Sequence, residues 1–326
     1  MRFLELPKGT PLARRVRALL AFEAPAERLA AVRIFVGAFA IIYLAARTPS
    51  FIGMARRPAA EFDPTGVITL LHAPPPGWLT IALSLATLAL SVPFALGARF
   101  KITAPLFAAL LLYTLSFRNS FGMVFHTENL LVFHVAVLAL ADSAAAWSLD
   151  ARRTNSAASP HERYGFALQL LALVTTFSYF LAGIAKVRES GLAWATSDIL
   201  RNQIAYDNAR KLLLGDSHSP FGAWAVRHAW FFPPFAWLTL VVEIGAPLAL
   251  LGGRLGRVWA VGMWSFHVGV LGLMWILFPY PIFGLAYVSL FPAERPIEWL
   301  RDWWSRRSSP PAPKPTTRDD TASAPG

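Results

Sequence analysis

Cysteine is absent from all 326 residues. Disulfides, thiol redox relays, thiolate metal sites and S-acylation are therefore excluded together, and any chemistry must use His, Lys, Asp, Glu, Tyr or a bound molecule. Charge is scarce as well: 15% of residues are Asp, Glu, Lys or Arg, against about 25% in a soluble domain. What charge there is leans one way, with 30 Lys and Arg against 19 Asp and Glu and a net +11. That excess does not point to nucleic acid, because the arginines fall in short loops and tails between apolar runs, where they set topology and meet anionic lipid headgroups. Metal-ligand spacing is also missing. His126 and His134 are eight apart, about 80° around a helix, so they can face one cavity but do not form a pair at three or four residues' spacing, and no metal is expected. A cleavable leader is not expected either, since nine charged residues from Arg2 to Arg28 interrupt any apolar core there.

In place of these the chain offers apolar runs, with 55% of its residues hydrophobic. The pattern predicts an all-α, polytopic transmembrane helix bundle of seven or eight spans, with interfacial or re-entrant helices between them. Three regions are expected: a basic cytoplasmic arm over 1–28, a transmembrane domain over 29–292, and an interfacial segment with a disordered tail over 293–326. The spans fall at 29–46, 78–96, 102–117, 129–147, 168–186, 234–252 and 258–278, and a short apolar piece at 279–292 decides between seven and eight. Arg33, one turn inside the first span, is expected to snorkel to the headgroups unless a buried partner takes it. Residues 47–77, carrying Asp63 and the breaker run Pro74-Pro75-Pro76-Gly77, form a loop of the kind that covers a site. The stretch from Trp194 to Leu214 is too charged to span and is expected to pack on the outer surface or dip part-way in.

The chain is organised around Leu168–Trp194. Gln169, Ala172, Thr176, Tyr179, Gly183 and Lys186 step by three and four, so one helix face is small or polar while the rest is apolar. Polar groups in hydrocarbon must find partners inside the bundle, so this face should line protein or a cavity, with Lys186 at its mouth. Two roles stay open for Lys186. It is a general base, partial desolvation favouring its neutral amine, or a juxtamembrane anchor whose ammonium reaches the interface. Glu243 and His267 sit near the middle of the next two spans, where ionisable groups are costly. They either bond each other and hold two helices in register or act in the site directly.

Lysine and arginine mark the cytoplasmic side of a cell (inner) membrane. The basic arm and alternate loops at Arg99, Arg152 and Arg254 fall together, which puts the N-terminus inside and His126, Lys186 and the Asp63 loop outside.

The series F-H-T-E-N-L-L, D-S-A-A-A-W-S-L-D-A, Y-F-L-A-G-I-A-K, V-E-I-G-A-P and S-F-H, in this order over roughly Leu29 to Pro292, resembles the HTTM domain. That domain is the membrane part of vitamin K-dependent gamma-glutamyl carboxylases and of many bacterial proteins without assigned activity. In the carboxylases, which oxygenate vitamin K hydroquinone and use the resulting base to carboxylate glutamates, a lysine in the Y-F-x-A-G motif is the catalytic base. Lys186 stands at that place. The resemblance also implies a role for His126 and places Glu243 at an acidic position and His267 in an aromatic-Phe-His segment, with Tyr179 beside them in a substrate pocket. Ser197 stands where the family's Trp-x-x-Gly motif has glycine. No large extramembrane domain follows the membrane part, so protein carboxylation is not expected. The residues themselves name no cofactor; the resemblance implies a quinone-like, lipid-soluble small molecule. The expected partners are that molecule and membrane lipids, and the competing class is a transporter or membrane-assembly subunit.

Overall fold

The computed structural model describes residues 22–122, 124, 126–154 and 158–308. Among these there are helices and turns but no strand, only an isolated antiparallel bridge between Ala24 and His161. Four helices are long and apolar enough to cross a membrane: α1 (Ala26–Met54), α2 (Gly77–Leu96), α3 (Phe100–Arg118) and, after α4 (Asn129–Leu140) and α5 (Leu149–Thr154), α6 (Glu162–Ser190). The remainder is shorter or more polar: α7 (Ala193–Thr196), α8 (Ile199–Leu213), α9 (Pro220–Ala225), α10 (Phe232–Ile244), α11 (Gly253–Met274) and α12 (Pro279–Ile282). The described residues up to Glu294 make one compact unit and those from Arg295 another. Within the second, the helical stretch up to Ser308 sets Trp303 against Arg307, whose guanidinium lies 4.0 Å from the ring centroid. Most of the basic arm and the tail beyond Ser308 lie outside the described residues.

The packing shows how a membrane bundle inverts the soluble pattern. On α2 the buried positions are Thr80, Ser84, Thr87, Ser91 and Phe94, at helical spacing, while Leu85 and Val92 face outward. Lipid tails are as apolar as leucine, so helices associate through small and polar residues that permit close approach and hydrogen bonding. Thr87 and Thr114 join α2 to α3 in this way, hydroxyl to hydroxyl at 2.9 Å.

Several expected boundaries move, each for an identifiable reason. Helix α1 runs on to Met54 through Pro49, eight residues past the expected end; a proline in the last turns forfeits a single internal bond. Helix α4 stops at Leu140, and residues 141–148 form turns that Arg33 fastens. Arg33 is wholly buried instead of snorkelling. It donates to the carbonyls of Ser143 (2.5 Å), Trp147 (2.6 Å), Ala146 and Ala95. Gly97 makes room for this. Its φ of +62° closes α2, and a Cβ there would stand 2.5 Å from Ser148 Cβ and 3.1 Å from the Arg33 guanidinium. Asp150 then caps α3, accepting from the amides of Arg99 (2.8 Å) and Phe100 (2.7 Å). The sixth expected span is α10 followed by a 3-10 segment, Ala246–Leu251, because Pro247 interrupts the α-helical ladder.

The charged stretch after Trp194 packs against the bundle through its polar side chains. Ser197 breaks it, and α8 docks on the end of α11. The last carbonyls of α11, at Gly272, Leu273 and Met274, accept from Ser219, Asn208 and Lys211 respectively, so buried polar side chains satisfy the orphan acceptors of a helix terminus. The Asp63 loop packs over the end of α3. The Asp63 amide donates to Ser120 O (2.9 Å), and Ile68 is buried against Phe117 and Phe121.

Candidate functional site

The stripe predicted on α6 faces the bundle: Gln169, Ala172, Thr176, Tyr179 and Gly183 are buried, and Lys186 is half-buried at the end. Gln169 donates to Leu250 O (2.9 Å), tying α6 to the 3-10 segment. One turn before Lys186, Gly183 sets the separation between α6 and α10. A Cβ there would meet Ile244 at 2.8 Å and Glu243 Cβ at 3.0 Å, so only glycine admits α10 this closely. Close approach brings the Glu243 carboxylate under Lys186, whose Nζ donates to both Oε1 and Oε2 at 2.7 Å. The Glu243 side chain is 2% exposed and that of Lys186 20%. An ion pair this buried needs good geometry to offset desolvation, and a bidentate contact provides it. The Lys186 ammonium also lies 5.2 Å from the Trp194 ring centroid and 6.0 Å from that of Phe266, two aromatic faces that favour a cation. The main partner of Glu243 is thus Lys186, where the sequence suggested His267.

A cavity of about 300 Å³ opens beside this pair. Tyr179, Lys186, Glu243 and His267 all line it, with Asn129 at the start of α4, Thr127 in the turn before it and Phe278 before α12. Four of the five residues singled out in the sequence are thereby brought to one place. The fifth, His126, has its backbone in the one-turn segment His126–Glu128 next to the cavity wall, and its side chain lies outside the described residues. His267 sits in an aromatic cage, 5.7 Å from the Tyr179 ring and 4.7 Å from that of Phe278. The Tyr179 hydroxyl pairs with that of Tyr287 at 2.6 Å. Tyr287 was missed because it lies in a short apolar piece with no helical period, Leu285–Leu290, which folds as a 3-10 segment.

His134 does not share this cavity. Thr175 spends its hydroxyl proton on Ala286 O (2.8 Å) and so accepts from His134 Nε2 (3.0 Å), which leaves His134 Nδ1 to accept from Tyr280 (2.7 Å). Every position on that ring is engaged in holding α4, α6 and α12 together. A second buried cluster, Arg118 with Glu128 and the Tyr43 hydroxyl, joins α1 and α3 to the turn that carries Thr127. Opposite charges ten residues apart at two helix ends were its signal in the sequence.

A family model described as the HTTM domain matches residues 23–295. The chain belongs to the HTTM domain family. No curated protein and no solved structure matches it. The matched span of this HTTM domain takes in both partners of the ion pair and every residue named around the cavity. With its apolar helices it makes the chain a multi-pass membrane protein.

Proposed function

We propose that this HTTM protein binds a lipid-soluble, quinone-like small molecule in the Lys186 cavity and carries out proton-transfer chemistry on it. The bidentate Lys186–Glu243 pair exposed to a cavity inside an apolar bundle is the observation that carries this reading. In a site of low dielectric, an ammonium–carboxylate pair and its neutral amine–acid form are alternative placements of one proton. Moving that proton from Nζ to a Glu243 oxygen leaves an amine lone pair beside the cavity without bringing net charge or bulk water into the site. The amine takes a proton from a bound hydroxyl or enol, Tyr179 and His267 being placed to hydrogen-bond the anion that forms. A transporter or assembly subunit would need the pair only as a clamp between α6 and α10.

The proposal includes eight crossings. The parity rests on the Arg28–Glu294 contact, a two-bond pair at 2.9 and 2.7 Å that holds the start of α1 beside the end of the last apolar piece. An even number of crossings must separate two points on one side, so α4 with its following turns, α10 with its 3-10 extension, α11, and α12 with Leu285–Leu290 each count as one. The basic arm puts that side in the cytoplasm of a cell membrane and the cavity at the outer half. Organic extraction of the purified protein, analysed by mass spectrometry, tests the binding claim. A lipid-soluble species should co-purify with the parent and be lost from Lys186→Ala. Identical extracts from two folded proteins would remove the ligand site.

A further inference from the structure

Arg163 and Lys186 stand 23 residues apart on α6, a rise of about 35 Å, enough to place them at opposite faces of a bilayer. At the Arg163 end the structure has a second, larger hollow, a groove of about 750 Å³ between the start of α3, the end of α4, α5 and the start of α6. Its polar wall carries two cations, Lys101 and Arg163, and two carboxylates that both have partners within the fold. Asp150 is committed to the Arg99 and Phe100 amides, and Asp142 to Arg163 at 3.3 Å. Lys101 is exposed and has no ion-pair partner among the described residues. His161 is exposed and uses Nδ1 to accept the Arg163 amide (3.0 Å), which leaves Nε2 as its donor.

We propose that this groove binds the phosphate of an anionic phospholipid headgroup, with Lys101, Arg163 and His161 Nε2 as its donors. Two features favour a lipid over a soluble phosphate ester. Lys101 and Arg163 lie in the first turns of two helices that run on into the apolar bundle, the level at which the phosphates of a leaflet sit. Leu140 on the groove wall and Ile102, next in the chain to Lys101, are 82% and 63% exposed, apolar side chains that offer an acyl chain a lane to lie on. A bare phosphate would leave that lane and most of the groove volume unused.

The test uses the full chain in mild detergent, with the thermal midpoint followed as dioleoyl phosphatidylglycerol, dioleoyl phosphatidylcholine or inorganic phosphate is added. The phosphatidylglycerol should raise the midpoint more than the phosphatidylcholine of the same chains, and inorganic phosphate should have no effect. Lys101→Gln should shrink the difference between the two lipids and Lys101→Glu should abolish it, while the lipid-free midpoint stays at the parent value because Lys101 is exposed. Equal response to both lipids, or an undiminished difference in Lys101→Glu, would overturn the proposal. A full response to inorganic phosphate would replace the lipid with a soluble phosphate ester.

Discussion

Separating the Lys186–Glu243 pair gives three different costs, and their ratio reports on the geometry. Lys186→Met leaves a carboxylate with a side chain only 2% exposed and removes its cation. Breaking a buried pair from that side costs about 3–5 kcal/mol. Glu243→Gln keeps the shape and leaves an ammonium whose side chain is 20% exposed, next to a cavity and two aromatic faces, which hydrate and hold it. The loss there is about 1.5–3 kcal/mol, that of a hydrogen bond to a charged group. Lys186→Met with Glu243→Gln removes both charges and should cost less than the sum by at least about 1 kcal/mol, the coupling expected of residues in contact. The assay is thermal unfolding of the three variants and parent in one detergent, where about 1 kcal/mol corresponds to a few degrees. Additive losses, or a Lys186→Met cost no larger than that of Glu243→Gln, would refute the claim that a buried carboxylate depends on this lysine.

Gly183→Val should force α6 and α10 apart at an overpacking cost of about 1–3 kcal/mol, read as a lowered thermal midpoint; a midpoint that does not move would mean that the close approach at Gly183 is wrong. Arg33→Met should strand the Ser143 and Trp147 carbonyls and cost about 2–3 kcal/mol; a change under about 0.5 kcal/mol, as for a surface residue, would mean that Arg33 is an anchor at the headgroups. Reporter fusions after Ser120, Ser159, Ser217 and Ser308 should read outside, inside, outside and inside, and an outside signal after Ser308 would break the eight-crossing count.

The sequence carried the parts of this fold that depend on period. The α6 stripe could be read because a membrane helix must turn its polar face inward, and the structure buries Gln169, Thr176 and Tyr179 accordingly. It could not show which partner each polar residue takes. Glu243 and His267, adjacent in depth, suggested each other, whereas the contact with Lys186 depends on how closely Gly183 lets α10 approach, a distance set by tertiary packing. Arg33 likewise looked like a headgroup anchor because its carbonyl acceptors lie 62 to 114 residues away and belong to turns with no pattern of their own. Helix ends moved most where prolines and 3-10 segments replace the α-helical ladder, as at Pro49 and after Ile244.

The central claim is that Lys186 moves a proton rather than serving as a cation alone, and a charge-keeping swap tests it most directly. Parent and Lys186→Arg, each in vesicles, are incubated with a total membrane lipid and quinone extract, and the species present before and after are compared by mass spectrometry. Arginine keeps the positive charge beside Glu243 but does not deprotonate at any working pH. With the incubation run in D2O, at least one lipid-soluble species should gain a carbon-bound deuterium with the parent, its enol anion being reprotonated at carbon, and none with the folded Lys186→Arg variant. The same species labelled at the same rate by both proteins would contradict the account.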